Sequence, residues 1–239
     1  MSRRMRSRSL AFGTIGGAEA FGSSFRLAVP DSRTTQLLVK RGLDVVLALI
    51  LLLSLAPAFV LIAAVMWLWS PGPVIFEQVR VGRGGRPFRM YKFRTMTRNC
   101  DTGIHQTYYR QLVNGEAAPI DGAFKLARDP RVTPVGRALR RFSLDELPQL
   151  WNVLKGEMSM VGPRPPIPYE TDLYSVRERR RLVVKPGLTG LWQVSGRNCC
   201  SFQEMIELDL AYIERWSIWV DLMILLRTPL VIATGRGAC

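Results

Sequence analysis

The strongest constraint on how this chain can fold is a run of 25 consecutive residues without a charged side chain, from Val45 to Trp69. About 20 apolar residues in a helix cross the hydrocarbon core of a bilayer, so the run is long enough to enter a membrane. Pro57 stands near its middle and removes one backbone hydrogen bond from a helix. The run is therefore expected to form a helix that bends at Pro57.

Basic residues lie on both sides of this run. Lys40 and Arg41 precede it, and a second group follows it: Arg80, Arg83, Arg86, Arg89, Lys92 and Arg94. Because basic flanks favour the cytoplasmic side, a helix that spans the bilayer cannot place both flanks there. A helix that enters, bends at Ala56-Pro57 and returns to the same face satisfies both, with Ser54 as a hydrogen-bonding substitute at the bend. An ordinary spanning anchor is the alternative.

The chain as a whole is strongly basic, with a formal net charge of +14, although 48% of its residues are hydrophobic. Such a charge suits nucleic acid, an anionic lipid surface or a phosphorylated substrate, and charge alone does not choose among them. A single histidine, His105, argues against a Ser-His-Asp triad and against a multi-histidine metal site. The four cysteines show no metal-ligand spacing, which indicates a reducing, cytoplasmic setting. Acid–base or covalent chemistry therefore falls mainly to carboxylates.

The residues after the apolar run predict a small β-hairpin followed by helices. Two β-branched and aromatic runs, VIFEQVRVG and PFRMYKFRTM, flank a glycine-rich turn at residues 82–85. Helical spacing dominates from Val135 onward, and the stretch from Glu204 to Ala233 predicts one or two helices, partly apolar enough to lie along a membrane surface. We expect an α+β, mainly helical fold, with an N-terminal re-entrant membrane helix, the hairpin and surface amphipathic helices around a compact catalytic core.

Three parts are expected along the chain. The first residues are rich in Ser, Gly and Arg and have no uninterrupted apolar stretch, which is typical of a disordered basic arm. The expected division is a disordered arm (1–36), the re-entrant membrane helix (37–72) and a cytoplasmic, membrane-associated catalytic domain (73–239).

Asp145 and Glu146, in the segment SLDELPQL, are the first candidates for chemistry. Spacing alone favours a structural role, because Asp145 is placed to cap a helix whose first turn holds Pro148, and Ser143 and Glu146 match a capping box. The same position would stabilise Asp145 as an anion at the positive end of the helix dipole. An ionised aspartate there can attack phosphorus or hold a divalent cation. Both roles stay open at this point.

Basic and glycine-rich segments surround this pair. Lys92 and Arg94 in MYKFRTM alternate on a predicted strand and should project from one face. Arg164 lies between prolines in GPRPP, so little entropy is lost on ordering it, and arginine suits bidentate phosphate contact. The stretch GLTGLWQVSGRN is either a ligand loop with Trp192 and Arg197 or an ordinary tight connection. A solvated or lipid-facing basic surface is the alternative explanation for several of the basic residues.

The chain resembles the bacterial sugar transferase family, the monotopic phosphoglycosyl transferases that initiate exopolysaccharide assembly. The resemblance lies in four segments that occur in order: KRGLD, KFRTM, DPRVTPVGRALRRFSLDELPQLWNVLKGEMSMVGPRP and KPGLTGLWQVSGRN. It covers roughly four-fifths of the chain, from Lys40 to about Thr228. The family is known for a re-entrant membrane helix. Its helix break is commonly Ser-Pro, whereas this chain has Ala56-Pro57, so the hydroxyl at that position is missing.

The resemblance implies transfer of a sugar 1-phosphate from a UDP-sugar to undecaprenyl phosphate, with release of UMP and with Mg²⁺ as the cofactor. It implies that Asp145 is the nucleophile, that it forms an aspartyl-phosphosugar intermediate, and that it lies close to the magnesium. Glu146 is implied as its partner, which orients the lipid phosphate or takes its proton. The residues expected to bind substrate are Lys92, Arg94, Arg140, Pro163, Arg164, Pro165 and Arg197.

The same resemblance sets the expected substrates and location. A hexose, glucose or galactose, is the expected sugar for exopolysaccharide, capsule or O-antigen synthesis, and an N-acetylated amino sugar is the alternative. The expected partners are the UDP-sugar, undecaprenyl phosphate and an anionic leaflet at the cytoplasmic face of the bacterial inner membrane, without nucleic acid, and a homo-oligomer is left open. A nucleic-acid-binding membrane protein would leave Asp145-Glu146 unexplained, and a non-catalytic scaffold would not need both carboxylates.

Overall fold

The computed structural model describes residues 31–69, 72–97, 107, 110, 111, 131–196 and 201–233. The chain divides into two compact units, Met1–Thr35 and Gln36–Cys239, and apart from the start of the first helix the elements below belong to the second unit. The described helices are α1 (Asp31–Ser54), α2 (Ala56–Trp69), α3 (Pro134–Arg141), α4 (Gln149–Lys155), α5 (Pro168–Asp172), α6 (Val176–Arg179), α7 (Leu191–Gly196), α8 (Phe202–Glu214) and α9 (Ile218–Ala233). The described strands are β1 (Ile75–Val81), β2 (Pro87–Phe93), β3 (Ser159–Val161) and β4 (Gly187–Thr189). The mainly helical α+β class predicted from the sequence is confirmed.

The predicted hairpin is present. β1 and β2 pair antiparallel, and Gly84 in the connecting turn has a φ of 69°, which a residue without a side chain adopts at little cost. Residues directly opposite each other in an antiparallel pair share a face. The inner face of the hairpin, defined here by six side chains, consists of Phe76, Gln78, Arg80, Phe88, Met90 and Lys92. Phe88 and Met90 are buried, so this face packs against the body of the protein.

A second small sheet was not predicted. β3 and β4 pair in parallel, with Ser159 opposite Gly187 and Val161 opposite Thr189. The two backbones come so close just beyond this pairing that a Cβ atom on Gly187 would lie 2.0 Å from the nitrogen of Gly162. Glycine is therefore required there by the close approach of two chains, and the sheet fixes the start of the Pro163–Pro165 segment.

Helix α3 packs against the end of the hairpin. Its N-cap residue Thr133 accepts a hydrogen bond from the Gly136 amide at 2.9 Å, and Pro134 occupies the first turn, where its missing N–H is no loss. A Cβ atom on Gly136 would lie 2.2 Å from the carbonyl oxygen of Thr95. This contact brings the C-terminal end of α3, with Arg140, beside the KFRTM segment.

Helices α1 and α2 form a bent pair. The angle of the bend is 57°, and it falls at Leu55, between the end of α1 and Ala56. Pro57 has no N–H for the carbonyl of Leu53, and the hydroxyl of Ser54 donates instead to Leu51, whose carbonyl also accepts from the Leu55 amide. Among the described residues no single helix is long and apolar enough to cross a membrane, whereas this pair together could be by length and composition. α1 begins at Asp31, earlier than the predicted boundary at residue 36.

Both ends of the bent pair contact the rest of the second unit. In α1, Arg41 donates to the carbonyls of Val153 and Leu154 at 2.6 and 2.8 Å, at the C-terminal end of α4. In α2, the buried Met66 packs in a cluster with Phe93. Exposed apolar side chains occur around the bend, where they are Leu49, Ile50, Leu53, Val60 and Leu61, and also near the two ends, where they are Leu38, Trp67, Leu68 and Trp69.

The stretch from Glu204 to Ala233 belongs to two helices, α8 and α9. In α9, Asp221 and Ile224 are buried against the body of the protein. A stripe of exposed apolar residues follows helical spacing on the opposite side: Trp219, Leu222, Leu226 and Leu230. Helix α9 thus packs one side on the protein and exposes an apolar stripe on the other.

Candidate active site

Asp145 and Glu146 lie in a short 3-10 turn, Leu144–Glu146, between α3 and α4. Ser143 precedes the turn with a φ of 53°, a left-handed conformation that is uncommon for a residue with a side chain. Asp145 is buried, with 7% of its surface exposed, while the Glu146 side chain is partly exposed. The turn therefore holds one carboxylate inside the protein and leaves the next partly exposed to solvent.

The prediction that Asp145 caps a helix is wrong. Helix α4 begins at Gln149 with Pro148 as its N-cap residue, and the hydroxyl of Ser143 makes no capping bond, so the predicted capping box is not formed. The backbone from Ser143 to Leu147 closes i to i+3 hydrogen bonds, which places the carboxylates before the α-helix begins. The Glu146 side chain bonds to Lys92 and does not fold back on Ser143.

The KFRTM segment supplies basic groups to the turn. The Lys92 ammonium group donates to Glu146 Oε1 at 2.8 Å, in an ion pair that is about three-quarters removed from solvent. Arg94, just after β2, is also buried. Arg140 donates through Nε to the hydroxyl of Thr95 at 2.9 Å. These three basic residues, which the sequence analysis selected, thus lie on or against the segment that contacts the acidic turn.

The Pro163–Pro165 segment follows β3 and contacts β1 of the hairpin. Arg164 lies 3.6 Å from the buried carboxylate of Glu170, whose Oε2 also accepts a hydrogen bond from the Ile167 amide at 2.9 Å. The carbonyl of Pro165 accepts a hydrogen bond from Arg80 at 2.9 Å. The sheet pairing behind Gly162 and these two bonds hold the Arg164 backbone in one place.

Arg80 connects the two segments and was missed as a site residue by the sequence analysis, which counted it only as a basic flank. Burial lowers the pKa of Arg80 to about 10; the charge of Arg164 acts in the same direction, and the charges of Glu170 and Glu146 oppose them. Arg80 therefore bonds the Pro-Arg-Pro segment at Pro165 and interacts electrostatically with Glu146 of the acidic turn. In the sequence, the alternation of Gln78 and Arg80 with apolar residues on β1 predicts that these two side chains share one face of the strand, but it does not predict their contacts.

Other predicted residues are not part of this cluster. Arg197 lies outside the described residues. Ala56 and Pro57 lie at the bend between α1 and α2. The segment around Trp192 forms β4 and α7, and Trp192 packs against the cluster that contains Phe202. Within residues 131–196 and the other described ranges, no group of three or more His, Cys, Asp or Glu side chains is arranged to hold a metal ion.

The sequence matches a known protein family over most of its length. Residues 35–235 match the family model described as "Bacterial sugar transferase". The chain is 46% identical over 206 residues to the galactosyl transferase CpsE of Streptococcus agalactiae, covering 85% of this chain and 44% of that protein. It is 42% identical over 202 residues to the exopolysaccharide production protein ExoY of Rhizobium meliloti, covering 84% of this chain and 88% of that protein.

The name of a third relative specifies a sugar donor, an acceptor and the transferred group. The chain is 44% identical over 217 residues to the UDP-glucose:undecaprenyl-phosphate glucose-1-phosphate transferase of Caulobacter vibrioides, covering 87% of this chain and 75% of that protein. The chain thus spans less than half the length of CpsE but most of the length of the ExoY protein and of the Caulobacter transferase.

Proposed function

The chain belongs to the bacterial sugar transferase family, and from that premise we propose that it is a phosphoglycosyl transferase that moves a hexose 1-phosphate from a UDP-sugar to undecaprenyl phosphate. The observation that carries this proposal is the Asp145-Glu146 turn, where Lys92 pairs with Glu146 and the charge of Arg80, which holds the Pro-Arg-Pro segment, acts on Glu146. We therefore place the substrate cleft at this turn. A buried carboxylate surrounded by cations suits attack on an anionic phosphate, because the cations offset the repulsion between nucleophile and substrate.

The proposed reaction has two transfers. In the first, the Asp145 carboxylate forms a bond to the β-phosphorus of the UDP-sugar, the bond from that phosphorus to the bridging oxygen breaks, and UMP leaves. In the second, an oxygen of undecaprenyl phosphate attacks the same phosphorus and releases the Asp145 carboxylate. Any proton on the lipid phosphate goes to Glu146. The covalent intermediate allows the soluble donor product to leave before the lipid acceptor reacts.

Lys92 and Glu146 have linked roles in this scheme. Their ion pair at 2.8 Å holds the Glu146 carboxylate at the edge of the cleft, where an acceptor phosphate would approach. Arg140 and Arg94 lie at the KFRTM side of the turn, and Arg164 approaches it from the Pro-Arg-Pro side. Guanidinium groups bind phosphate oxygens in a bidentate manner, so we assign these arginines to the phosphates of donor and acceptor.

The residues of the cleft fit a bound magnesium ion. Magnesium is usually held by one or two carboxylates together with substrate phosphates and water, and it does not need a cage of protein ligands. Asp145 would supply the protein ligand and the donor diphosphate the others, which is consistent with the absence of a three-ligand cluster among the described residues. When bound, the ion would neutralise charge on the diphosphate and on the leaving UMP.

We also propose that α1 and α2 enter one leaflet and return, so that the enzyme sits on the cytoplasmic face of the bacterial inner membrane. The support is that Arg41 near one end of the pair and Met66 near the other both pack on the catalytic unit, while Leu53 and Val60 near the bend are exposed. A cleft at headgroup depth would meet the phosphate of a lipid acceptor. The exposed apolar stripe of α9 would lie on the same anionic leaflet.

Glucose or galactose is the proposed sugar, because relatives of this chain are named for each. The product would then start a repeat unit of an exopolysaccharide, a capsule or an O-antigen, as the name of the ExoY relative suggests for exopolysaccharide. An N-acetylated amino sugar is the alternative donor for the same chemistry. A panel of UDP-sugars presented to the purified protein separates these donors.

Release of UMP tests the proposed function. We expect the detergent-solubilised protein to release UMP from UDP-glucose or UDP-galactose in the presence of undecaprenyl phosphate and Mg²⁺. Because Asp145→Asn removes the nucleophile, it should lower turnover by about a thousandfold or more. The exposed Asp172→Asn is the matched control and should retain wild-type turnover. Full turnover by Asp145→Asn would contradict the assignment of the nucleophile.

A further inference from the structure

Arg80 is a buried cation whose partners are all neutral. Its side chain belongs to the inner face of the hairpin, and the residue is 6% exposed. Nε and Nη2 donate to Gln78 Oε1 at 3.1 and 2.7 Å, and Nη1 donates to the carbonyl of Pro165 at 2.9 Å. Among the described residues, no carboxylate forms an ion pair with it.

Burying a cation in this environment is energetically unfavourable. Moving a charge out of water costs several kcal/mol unless a partner of opposite charge compensates it, which is why buried arginines are usually paired with carboxylates. The neighbouring Arg164 increases the cost, because two like charges repel. Arg164 has the Glu170 carboxylate at 3.6 Å, whereas the charges of Glu170 and Glu146 act on Arg80 only from beyond ion-pair distance.

Within the described part of the chain, the hydrogen bonds of Arg80 leave two of its N–H donors unused. A guanidinium group has five N–H donors, and the three bonds described use one on each nitrogen. One N–H on each terminal nitrogen therefore stays available, and this pair has the fork geometry that matches two oxygens of a phosphate. The bonds to Gln78 and Pro165 fix the plane of the guanidinium, so little entropy is lost when it binds a ligand.

The position of Arg80 points to the same ligand as the rest of the cleft. The inner face of the hairpin carries Lys92, which binds Glu146, and Arg80, which binds the Pro-Arg-Pro segment at Pro165. The hairpin thus contacts the acidic turn through Lys92 and the Pro-Arg-Pro segment through Arg80. Arg80 also interacts electrostatically with both Arg164 and Glu146, so its charge acts on both parts of the site.

We infer that Arg80 is a further phosphate-binding residue of this site and that a phosphate of the donor diphosphate is its missing counter-ion. This inference deepens the proposed function and rests on it, since it adds a contact for the same substrate. Gln78 is the residue that keeps Arg80 available, because a neutral amide fixes the guanidinium without neutralising it. A glutamate at that position would form an ion pair with Arg80 and compete with the substrate.

The test uses inorganic pyrophosphate as the probe, with the full chain in detergent and magnesium-free buffer, and measures Kd by titration calorimetry and by the rise in unfolding temperature. We expect saturable binding by the wild type. Arg80→Gln, which removes the charge, and Gln78→Glu, which neutralises it, should each weaken binding about tenfold or more. Gln78→Glu keeps the shape of the side chain and both hydrogen bonds, so it decides the question even if Arg80→Gln does not fold.

Arg89→Gln is the control. Arg89 belongs to the same hairpin, its side chain is 73% exposed, and its partner is Glu77 on the outer face, at 3.3 Å. Its substitution changes the net charge by the same amount as the two test variants. Because Arg89 is exposed on the outer face, away from Arg80, this substitution should leave the Kd unchanged. Wild-type affinity in Gln78→Glu, equal weakening in Arg89→Gln, or no saturable binding by the wild type would each overturn the inference.

Pyrophosphate binding does not depend on turnover, so the two proposals fail separately. If the protein releases no UMP but binds pyrophosphate through Arg80, the proposed activity is contradicted and the phosphate-binding role of Arg80 is supported. A protein that releases UMP and whose Gln78→Glu variant retains wild-type Kd and KM for the donor would contradict only the role of Arg80.

Discussion

Arg181 and Asp209 form a buried ion pair that joins the segment before β4 to α8. Arg181 donates to Asp209 Oδ2 through Nε and Nη2 at 2.9 and 2.5 Å, and through Nη1 to the hydroxyl of Tyr174. Burial raises the pKa of Asp209 above its ordinary value, although Arg181 acts to lower it. Because removing two charges from water offsets much of their attraction, we expect the pair to fix the geometry of this contact more than it stabilises the fold.

Breaking this pair from one side should nevertheless be costly. Asp209→Asn leaves the Arg181 guanidinium buried without a counter-ion, so we expect a loss of about 3–5 kcal/mol in the free energy of unfolding, measured by chemical denaturation. The exposed pair of Arg177 with Glu207, at 2.7 Å, joins α6 to α8 and provides the control. Glu207→Gln should cost less than about 1 kcal/mol. Equal losses in the two variants would contradict the difference in burial as the cause.

Single residues also show where sequence reasoning succeeds and where it stops. Lys92 and Glu146 were both selected as site residues, and the structure joins them in an ion pair, although 53 residues separate them in the chain. Asp145 was expected at a helix N-cap, because propensity describes a helix start but not a preceding 3-10 turn. Arg80 was missed because burial without a counter-ion depends on contacts with Gln78 and Pro165 that no local pattern contains.

At the scale of elements, local pattern decides what is predictable. The β1–β2 hairpin could be predicted because its alternation and its glycine turn are contiguous in sequence. The β3–β4 sheet could not, since each strand has three residues and the pairing joins Val161 to Thr189. Three residues are too few to show a period of two, and parallel pairing depends on tertiary packing.

Helix α4 is a short element that depends on another for its stability. It has seven residues, follows the acidic turn directly and ends at Gly156, which has a φ of 82°. Isolated helices of this length are unstable in water, so external contacts must hold it. Arg41 of α1 provides one by donating to the carbonyls of Val153 and Leu154, which also places a positive charge at the negative end of the helix.

Arg41→Gln should therefore loosen α4. The two charge-assisted hydrogen bonds are lost, and we expect backbone amides of residues 149–156 to exchange with solvent about tenfold faster, measured by hydrogen–deuterium exchange with mass spectrometry. Arg137→Gln, which changes an exposed arginine on α3, should leave this exchange unchanged. Unaltered exchange in α4 of the Arg41 variant would show that the cap does not stabilise the helix.

At the scale of the whole molecule, the basic flanks of the apolar run have a structural use as well as an electrostatic one. Lys40 donates to Asp221 at 2.5 Å and to the carbonyl of Val161 at 3.1 Å, and Asp221 also accepts from Tyr212 and Trp216. These contacts tie the start of the bent pair to α8, α9 and β3. A spanning helix would have to separate the far end of α2 from this unit, whereas Met66 of α2 is buried within it.

The re-entrant arrangement therefore predicts that both ends of the chain share one side of the membrane. In a chain whose four cysteines are replaced by serine, we expect Ser9→Cys in the N-terminal arm and Glu207→Cys on α8 to be protected together from a membrane-impermeant maleimide in spheroplasts, and to react together after permeabilisation. The physical reason is that the docking of Lys40 and of Met66 on one unit fixes both ends of the pair on the side of α8. Labelling of Ser9→Cys but not of Glu207→Cys in intact spheroplasts would establish a spanning helix instead.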